Sequence, residues 1–318
     1  MSKPKVSIVV CYHTTEFIDE FLDSVYKSDI QCEIIKMGGV GLPAEKRNKG
    51  VEKSSGEYIA FFDDDVVINP RCIREMKNYL DKHPNVGMVY GKLWNAERKY
   101  RFDEAGGYLT RTGFIWSRAG QNDLDVGQYD KACAILAGKS ASCMIRREVF
   151  NAVGGFDEEF GILGEETDLS WRVWLSGLQV HYVPEACGYH WFNTTRKDKD
   201  RHYTNDRVYF NGCRNYITML IKNLGGRNLW RIVPIHMAIW FGVGLVMLIT
   251  LKVREGMNIL RGLWYVLRNR SLIWSKRQQV QAQRKVSDEE LWNSIYRPTP
   301  GGYYRQRALR YLTLGIHG

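Results

Sequence analysis

Between Val6 and Leu80 the chain alternates β-branched runs with helical periodicity, and this alternation narrows the fold more than any other feature. Val6 to Cys11 (VSIVVC) reads as a strand. Phe17, Phe21 and Val25 recur at i, i+4 and i+8, which predicts a helix from Glu16 to Tyr26. Glu33 to Met37 is a second strand running into GGVG, Pro43 to Lys53 a second helix, and Tyr58 to Phe62 a third strand. Such a pattern predicts an α/β fold, a mostly parallel sheet with helices on its faces. Ligands of these sheets gather at the carboxyl ends of strands. There YIAFF runs into three consecutive acids, Asp63, Asp64 and Asp65.

Three adjacent carboxylates repel one another: two unit charges 4 Å apart interact by about 1 kcal/mol in water and about 4 at an effective dielectric of 20. Either the triplet is a solvated turn or cations hold it. The structural alternative is capping of the next helix, NPRCIREMKNYLDKH, whose Ile73, Met76 and Leu80 share a face. Asn69 is a good N-cap and Pro70 suits the first helical position, so the cap is supplied downstream. The acids are then left for a divalent cation. Carboxylates at a strand end suit Mg²⁺ or Mn²⁺, which are held by one or two acids together with substrate phosphates.

A second acidic group lies in GGFDEEFGILGEETDLSWRVWLSG. Gly154 and Gly155 end a helix that begins near Arg147, and Gly177 ends another that runs from about Glu165 to Ser176. Glu165, Glu166 and Asp168 crowd the first turn of the latter. The helix dipole favours acids there without any function. The functional alternative is that one of them faces a cleft as a general base.

The net charge of +10 is unevenly spread. Residues 201–318 carry 19 Lys and Arg against 5 Asp and Glu, and residues 1–200 carry 26 against 30. A mildly acidic body and a basic tail that meets something anionic are expected. Ile232 to Leu251 has no formal charge apart from His236, long enough to span a bilayer, yet both of its flanks are basic. Pro234, Gly242 and Gly244 weaken a straight rod. An interfacial or re-entrant helix followed by the amphipathic GMNILRGLWYVLRNRSLIW accommodates both flanks on the cytoplasmic face of a membrane; a buried core helix is the alternative. The division expected is 1–222 for the α/β body and 223–318 for a membrane-associating helical region. Seven scattered cysteines without a CxxC pair fit a reducing compartment and signal neither zinc nor redox chemistry. The segment MSKPKVSIVV reads as the first strand, with no cleavage site after it. No nucleic-acid motif is visible, so nucleic acid is not expected as a partner.

In order along residues 5 to 195, the segments VSIVVCYH, RNKG at 47–50, GEYIAFFDDDVVINP, AGKSASCMIRREVFNAVGGFDEEF, GEETDLSWRVWLSG and VHYVPEACGYHWFNTT resemble family 2 glycosyltransferases of the GT-A fold. Within that family the likeness is to rhamnosyltransferase-like enzymes of bacterial cell envelopes. The resemblance implies a Rossmann-like mixed sheet flanked by helices and an inverting, metal-dependent transfer of a hexosyl or deoxyhexosyl group. The donor is a nucleotide sugar; the acceptor is a hydroxyl on a glycan or lipid-linked molecule. By the same resemblance Asp63 meets the ribose and the metal, Asp65 the metal, and Asp64 lies between them. His190 stands where a family histidine lies near metal and diphosphate, though a lone histidine beside Trp191 is more often structural. The acidic pair maps to Glu165 and Glu166, with Glu166 as base and Asp168 as the alternative. The family commonly ends its second strand in acids that read the donor base, but here the stretch is KMGGVG. Base recognition then falls to groups around Cys11 to His13 or to Arg47.

Two rivals stand beside this reading. Gly39, Gly41 and Ala44 satisfy G-x-G-x-x-A with Asp63 24 residues on, close to a nicotinamide-binding fingerprint, but the first βα turn, VVCYHTTEF, has no glycine. The other is a catalytically inactive membrane scaffold that kept the fold.

Overall fold

The computed structural model describes residues 5–12, 17–119, 123–191, 205–295 and 302. The α/β body begins β1 (Val6–Cys11), α1 (Ile18–Tyr26), β2 (Glu33–Met37), α2 (Pro43–Glu52), β3 (Tyr58–Asp63), β4 (Val66–Ile68), α3 (Cys72–Lys82) and β5 (Val86–Asn95). Short strands follow: β6 (Phe102–Glu104), β7 (Gly107–Leu109), β8 (Ile115–Ser117) and β9 (Cys133–Ala134). Then come β10 (Ser142–Arg146), α4 (Arg147–Ala152), α5 (Glu165–Leu175) and β11 (Gln179–His190). Five helices close the chain: α6 (Asn205–Asn223), α7 (Gly226–Ile249), α8 (Val253–Arg268), α9 (Arg270–Ala282) and α10 (Asp288–Ile295).

The main sheet runs β2-β1-β3-β10-β5-β11-β4, with β6 on β5 and β9 on β11. Strand β1 pairs in parallel with β2 and β3, β10 is antiparallel to both of its neighbours, and β5 is parallel to β11. Side chains alternate across each strand. Ile8 and Val10 therefore join the core under α1 and α3, and Val9 the core under α2. The latter core is continuous from Val9 through Trp171 on α5 and Cys213 on α6 to Trp292 on α10. The 222/223 division falls one residue before the end of α6, which packs on α5, α8 and α9.

Only Asp64 and Asp65 separate β3 from β4, yet three strands lie between them in the sheet order. The long β11 resolves this. Its register on β5 slips between Val183 and Cys187, and the stretch beyond the slip pairs with β4. An irregularity of this kind bends a strand, and here it carries the end of β11 to the turn that holds the acids. Strand β4 was not expected from sequence: three residues, VVI, take their structure from the partner strand. The helix expected from Asn69 starts at Cys72, and Asn69 Oδ1 instead accepts from Arg71 N at 3.0 Å in the turn before it.

Helix α7 is continuous through Pro234 and both glycines. It ends at Ile249, and Leu251, just past the Thr250 cap, has a left-handed φ of 62°. The amphipathic stretch expected as one helix breaks at Asn269 into α8 and α9. The body grips these helices through the β7–β8 loop. His236 Nε2 lies 2.8 Å from Thr112 O, Tyr216 OH donates to Gly113 O at 2.6 Å, and Arg231 Nη2 donates to Arg111 O at 3.2 Å. Gly113 has φ 85°, and a Cβ there would sit 2.5 Å from Ile232 Cγ2. Left-handed strain and overpacking each cost about 1–3 kcal/mol. Gly113→Ala is therefore expected to lower unfolding stability by roughly 2–4 kcal/mol, read as a lower urea midpoint without a change in slope.

Candidate active site

The acidic triplet spans the end of β3 and a two-residue turn. Strand β4 leads out of that turn and pairs with β11 so that Val66 stands opposite His190. Trp191 N donates to Asp65 O at 3.0 Å, which fixes the two segments side by side. His190 Nε2 consequently lies 3.2 Å from Asp65 Oδ1. The other ring nitrogen, Nδ1, is 2.8 Å from Asp103 Oδ2, and Asp103 Oδ1 accepts from Lys139 Nζ at 2.6 Å. Burial alone raises the Asp103 carboxyl, but Lys139 and His190 outweigh it and hold the group well below the ordinary carboxylate range. Asp103 is therefore an acceptor, and His190 Nδ1 must carry the hydrogen. Burial would lower the His190 imidazole, but Asp65 and Asp103 together push it up to about 10.

The RNKG segment lies on α2, which reaches β1 closely because Gly50 has no side chain: a Cβ would stand 2.3 Å from Val9 Cγ1. This places Arg47, 4% exposed, between two acids. Its Nη2 is 2.9 Å from Asp63 Oδ1 and its Nη1 is 2.9 Å from Glu165 Oε1. Cys11 is in register with Asp63 across the β1–β3 pair, and burial pushes its thiol up to about 11, so it is a neutral neighbour. Asp64 is buried in the turn. His13 lies outside the described residues.

A loop of unusual conformation launches α5. Gly161, Leu163 and Gly164 all have left-handed φ, of 65°, 71° and 86°. One buried amide braces it: Asn215 Nδ2 on α6 lies 2.9, 2.8 and 2.8 Å from the carbonyls of Phe160, Ile162 and Leu163. At the helix start Glu165 is buried against Arg47, while its Oε2 has no hydrogen-bond partner among the described residues. Glu166 is half-buried and accepts from Thr167 Oγ1 at 3.1 Å. Burial, and then the neighbouring Glu165, push its carboxyl up to about 8 against the opposing pull of Arg47.

Asp168 is placed differently. It is 0% exposed, and both its oxygens are engaged: Oδ2 with Arg172 Nε at 2.9 Å and Lys222 Nζ at 3.0 Å, Oδ1 with Asn223 Nδ2 at 2.9 Å. Burial would raise this carboxyl, but Lys222 and Arg172 hold it down. Lys222 Nζ also binds Asp157 Oδ2 at 2.6 Å, so the group ties α5 to α6.

The structure thus brings together Asp63, Asp65 and His190 as one cluster, with Arg47 joining Asp63 to Glu165; Asp168 belongs to a separate internal clamp. Sequence reasoning missed Asp103, Lys139 and Asn215. Lys139 lies in AGKSAS, part of the resemblance, but nothing local marks Asp103 or Asn215. The glycine cluster leads into α2, whose first turn carries Glu45, an acid that disfavours a pyrophosphate there.

The sequence profile described as glycosyl transferase family group 2 matches residues 58–273, more than half of the chain and all of this site except Cys11 to Arg47. The chain belongs to that family. A segment of 139 residues is 32% identical to the O-antigen biosynthesis protein RfbC of Myxococcus xanthus, covering 42% of this chain and 11% of that protein. Over 160 residues it is 28% identical to the pre-mycofactocin glycosyltransferase of Mycobacterium tuberculosis, covering 49% of this chain and 31% of that one. The chain therefore spans no more than about a third of the length of either relative. Among solved structures, S. aureus TarS 1–349 superposes with a TM-score of 0.52 at 15% identity, covering 92% of this chain and 93% of the other. That likeness shows the GT-A fold.

A divalent cation fits the cluster on chemical grounds. Asp63, Asp65 and His190 each offer a ligand atom, and these lie within 4.8 Å of one another. Once the proton that Asp65 and Asp103 favour on His190 is displaced from Nε2, two carboxylate oxygens and one imidazole nitrogen form a donor set for Mg²⁺ or Mn²⁺.

The Asp168 clamp gives a test independent of ligands. Lys222→Met leaves Asp157 and Asp168 short of a buried counter-charge, and breaking such a pair costs about 3–5 kcal/mol. A drop of that size in urea-derived unfolding stability is expected, and Asp168→Asn in the same background should restore part of it.

Proposed function

We propose that the protein is an inverting glycosyltransferase that moves a hexosyl or deoxyhexosyl group from a nucleotide-sugar donor to a hydroxyl acceptor. The carrying observation is the pairing of a three-ligand cation cluster with a half-buried carboxyl, Glu166, whose affinity for a proton suits general-base work near neutral pH. Asp63, Asp65 and His190 would hold the cation, with Asp63 also turned to the donor ribose. When bound, the ion supplies a Lewis acid for the diphosphate. Asp103 orients His190 through Nδ1 and leaves Nε2 facing the cluster. Cys11, Asp64 and Arg47 border the nucleotide side.

Glu166 takes the proton from the acceptor hydroxyl. The oxygen then attacks the anomeric carbon from the face opposite the diphosphate, and the bond to the diphosphate breaks with its electron pair on the leaving oxygen, inverting the centre. Asp168, engaged at both oxygens, is not free to do this; the geometry favours Glu166. Arg47 pairs with Glu165 beside it and links base helix to donor site.

The acceptor we propose is a glycan or lipid-linked molecule of the cell envelope, met at the cytoplasmic face of a membrane. RfbC is by name an O-antigen biosynthesis protein. Among the described residues α7 is the one helix long and apolar enough to cross a bilayer, and 33% of its most apolar stretch is buried. That exposure supports a helix lying in the interface better than a core helix. An inactive scaffold would show no metal-dependent hydrolysis of a nucleotide-sugar panel.

Glu166→Gln is expected to bind donor within about twofold of wild type by calorimetry while turnover falls at least about 100-fold. The base works only when ionised, so kcat/KM should rise with pH through about 8 in the wild type and lose that limb in the variant. The stability sign is opposite. The folded state holds this proton more tightly than the ordinary value of 4.5, so raising pH from there towards 8 costs stability at this residue. Glu166→Gln should flatten that loss in thermal melts. Unchanged turnover in the variant would remove Glu166 from the role.

For the cluster, Asp65→Ala should abolish transfer and Mn²⁺ binding together. Asp103→Asn should weaken Mn²⁺ binding about 10–100-fold, the range for groups that orient a ligating histidine. Titration followed by electron paramagnetic resonance reads this directly, and wild-type affinity in Asp103→Asn would show that Asp103 has no hold on the ligand.

A further inference from the structure

Packing of α6, α7, α8 and α9 leaves a cavity of about 210 Å³ among Leu229, Trp230, Val233, Met237 and Trp274, in which Arg270 is the one charged lining residue. We propose that this cavity binds one hydrocarbon chain of a phosphate-bearing membrane lipid, with Arg270 at its mouth taking the phosphate. The proposal rests on the reading that these helices meet a membrane and gives that contact a specific site.

Several observations converge on such an occupant. The lining is apolar and open, and Trp230, at its edge, is 72% exposed. Leu267 and Trp274, also in the lining, are exposed too. Tryptophan with an apolar body and a polar N–H suits the boundary between hydrocarbon and water. Cations outnumber acids along the helices that form the cavity, with Arg254 and Lys276 paired to Asp206 and Asp157 and Arg277 buried. Across residues 226–282 there are nine cations, at 227, 231, 252, 254, 261, 268, 270, 276 and 277, against the single acid Glu255. A second copy of the chain would bring the same positive surface against this one, and like charges facing each other oppose association. Nucleic acid would match the charge but has nothing to fill an apolar cavity. A lipid phosphate satisfies both, since each basic residue near an anionic surface contributes about 1 kcal/mol. The volume decides the rest. Sites for whole drug-sized ligands run about 300–1,000 Å³, so this cavity holds a segment of a long molecule, with the remainder in the bilayer.

The test compares the wild type with Met237→Trp, which fills the cavity while keeping the surface apolar, and with Arg270→Gln, an exposed change that leaves packing alone. Each full-length protein is stripped of lipid in detergent, offered phosphatidylglycerol or diacylglycerol, which lacks the phosphate, and examined by native mass spectrometry. Adsorption to phosphatidylglycerol vesicles is measured in parallel. The wild type should retain one phosphatidylglycerol per chain. Met237→Trp should lose that bound lipid at least tenfold while still adsorbing to vesicles. Arg270→Gln should bind phosphatidylglycerol several-fold less, closer to diacylglycerol. Retention of lipid by Met237→Trp at the wild-type level would overturn the cavity assignment, and so would a wild-type dimer that Met237→Trp dissolves. Equal retention of both lipids by the wild type would overturn the phosphate contact. Metal-dependent donor hydrolysis in water reports on the glycosyltransferase reading separately: its loss in the wild type would undo that reading, and its persistence in Met237→Trp shows an intact fold.

Discussion

Taking a guanidinium out of water costs several kcal/mol unless anions and hydrogen bonds compensate, and Arg47 finds its compensation on two distant parts of the chain. Asp63 comes from the end of β3 and Glu165 from the start of α5, each 2.9 Å away. This one cation therefore fixes the distance between the acidic turn after β3 and the start of α5. Glu165, held there, is one of the causes that lift the neighbouring Glu166 carboxyl. The placement of the acidic turn and the setting of Glu166 are consequences of the same ion pair.

The elements that were legible in the sequence are those specified locally. Strand β2 has the bounds its residues predicted, α2 starts at Pro43, and the acids fall at the carboxyl end of β3 where an alternating sheet puts its ligands. What stayed hidden depends on partners far along the chain. The idea that the aspartates have no structural task fails, because Asp63 and Asp65 are paired with Arg47 and His190. Those pairings follow from α2 packing and from the β11 irregularity, neither of which leaves a local signature. Asp103 is hidden for the same reason: it is an ordinary acid in FDEAGG until β6 aligns with β5 and brings it under His190. Asn215 looks like any polar residue of an amphipathic helix, yet its amide holds the strained loop that aims α5.

That brace also ties the carboxyl-terminal helices to the candidate site. Helix α6 supplies Asn215 to the loop before α5 and Lys222 and Asn223 to the clamp within it. Helix α7 packs on α8 where a Cβ at Gly256 would meet Gly244 O at 2.8 Å, so the two helices sit close and rigid. The apolar, basic face of these helices and α5 are thus parts of one packed unit.

Glu166 and Asp168 show how finely that unit sorts chemistry. They are two residues apart on one helix, hence about 200° apart around its axis, and both begin as acids favoured by the same dipole. Asp168 turns toward α6, where Lys222, Arg172 and Asn223 meet it and hold its carboxyl down. Glu166, half-buried beside Glu165 and bonded to Thr167, has no ion-paired cation among the described residues, and burial and Glu165 lift its carboxyl to about 8. Environments that drive two carboxyls apart in this way separate a structural anion from a proton acceptor. The difference between the two carboxyls therefore resides in the packing of α5 against α6, and the acidic motif alone does not contain it.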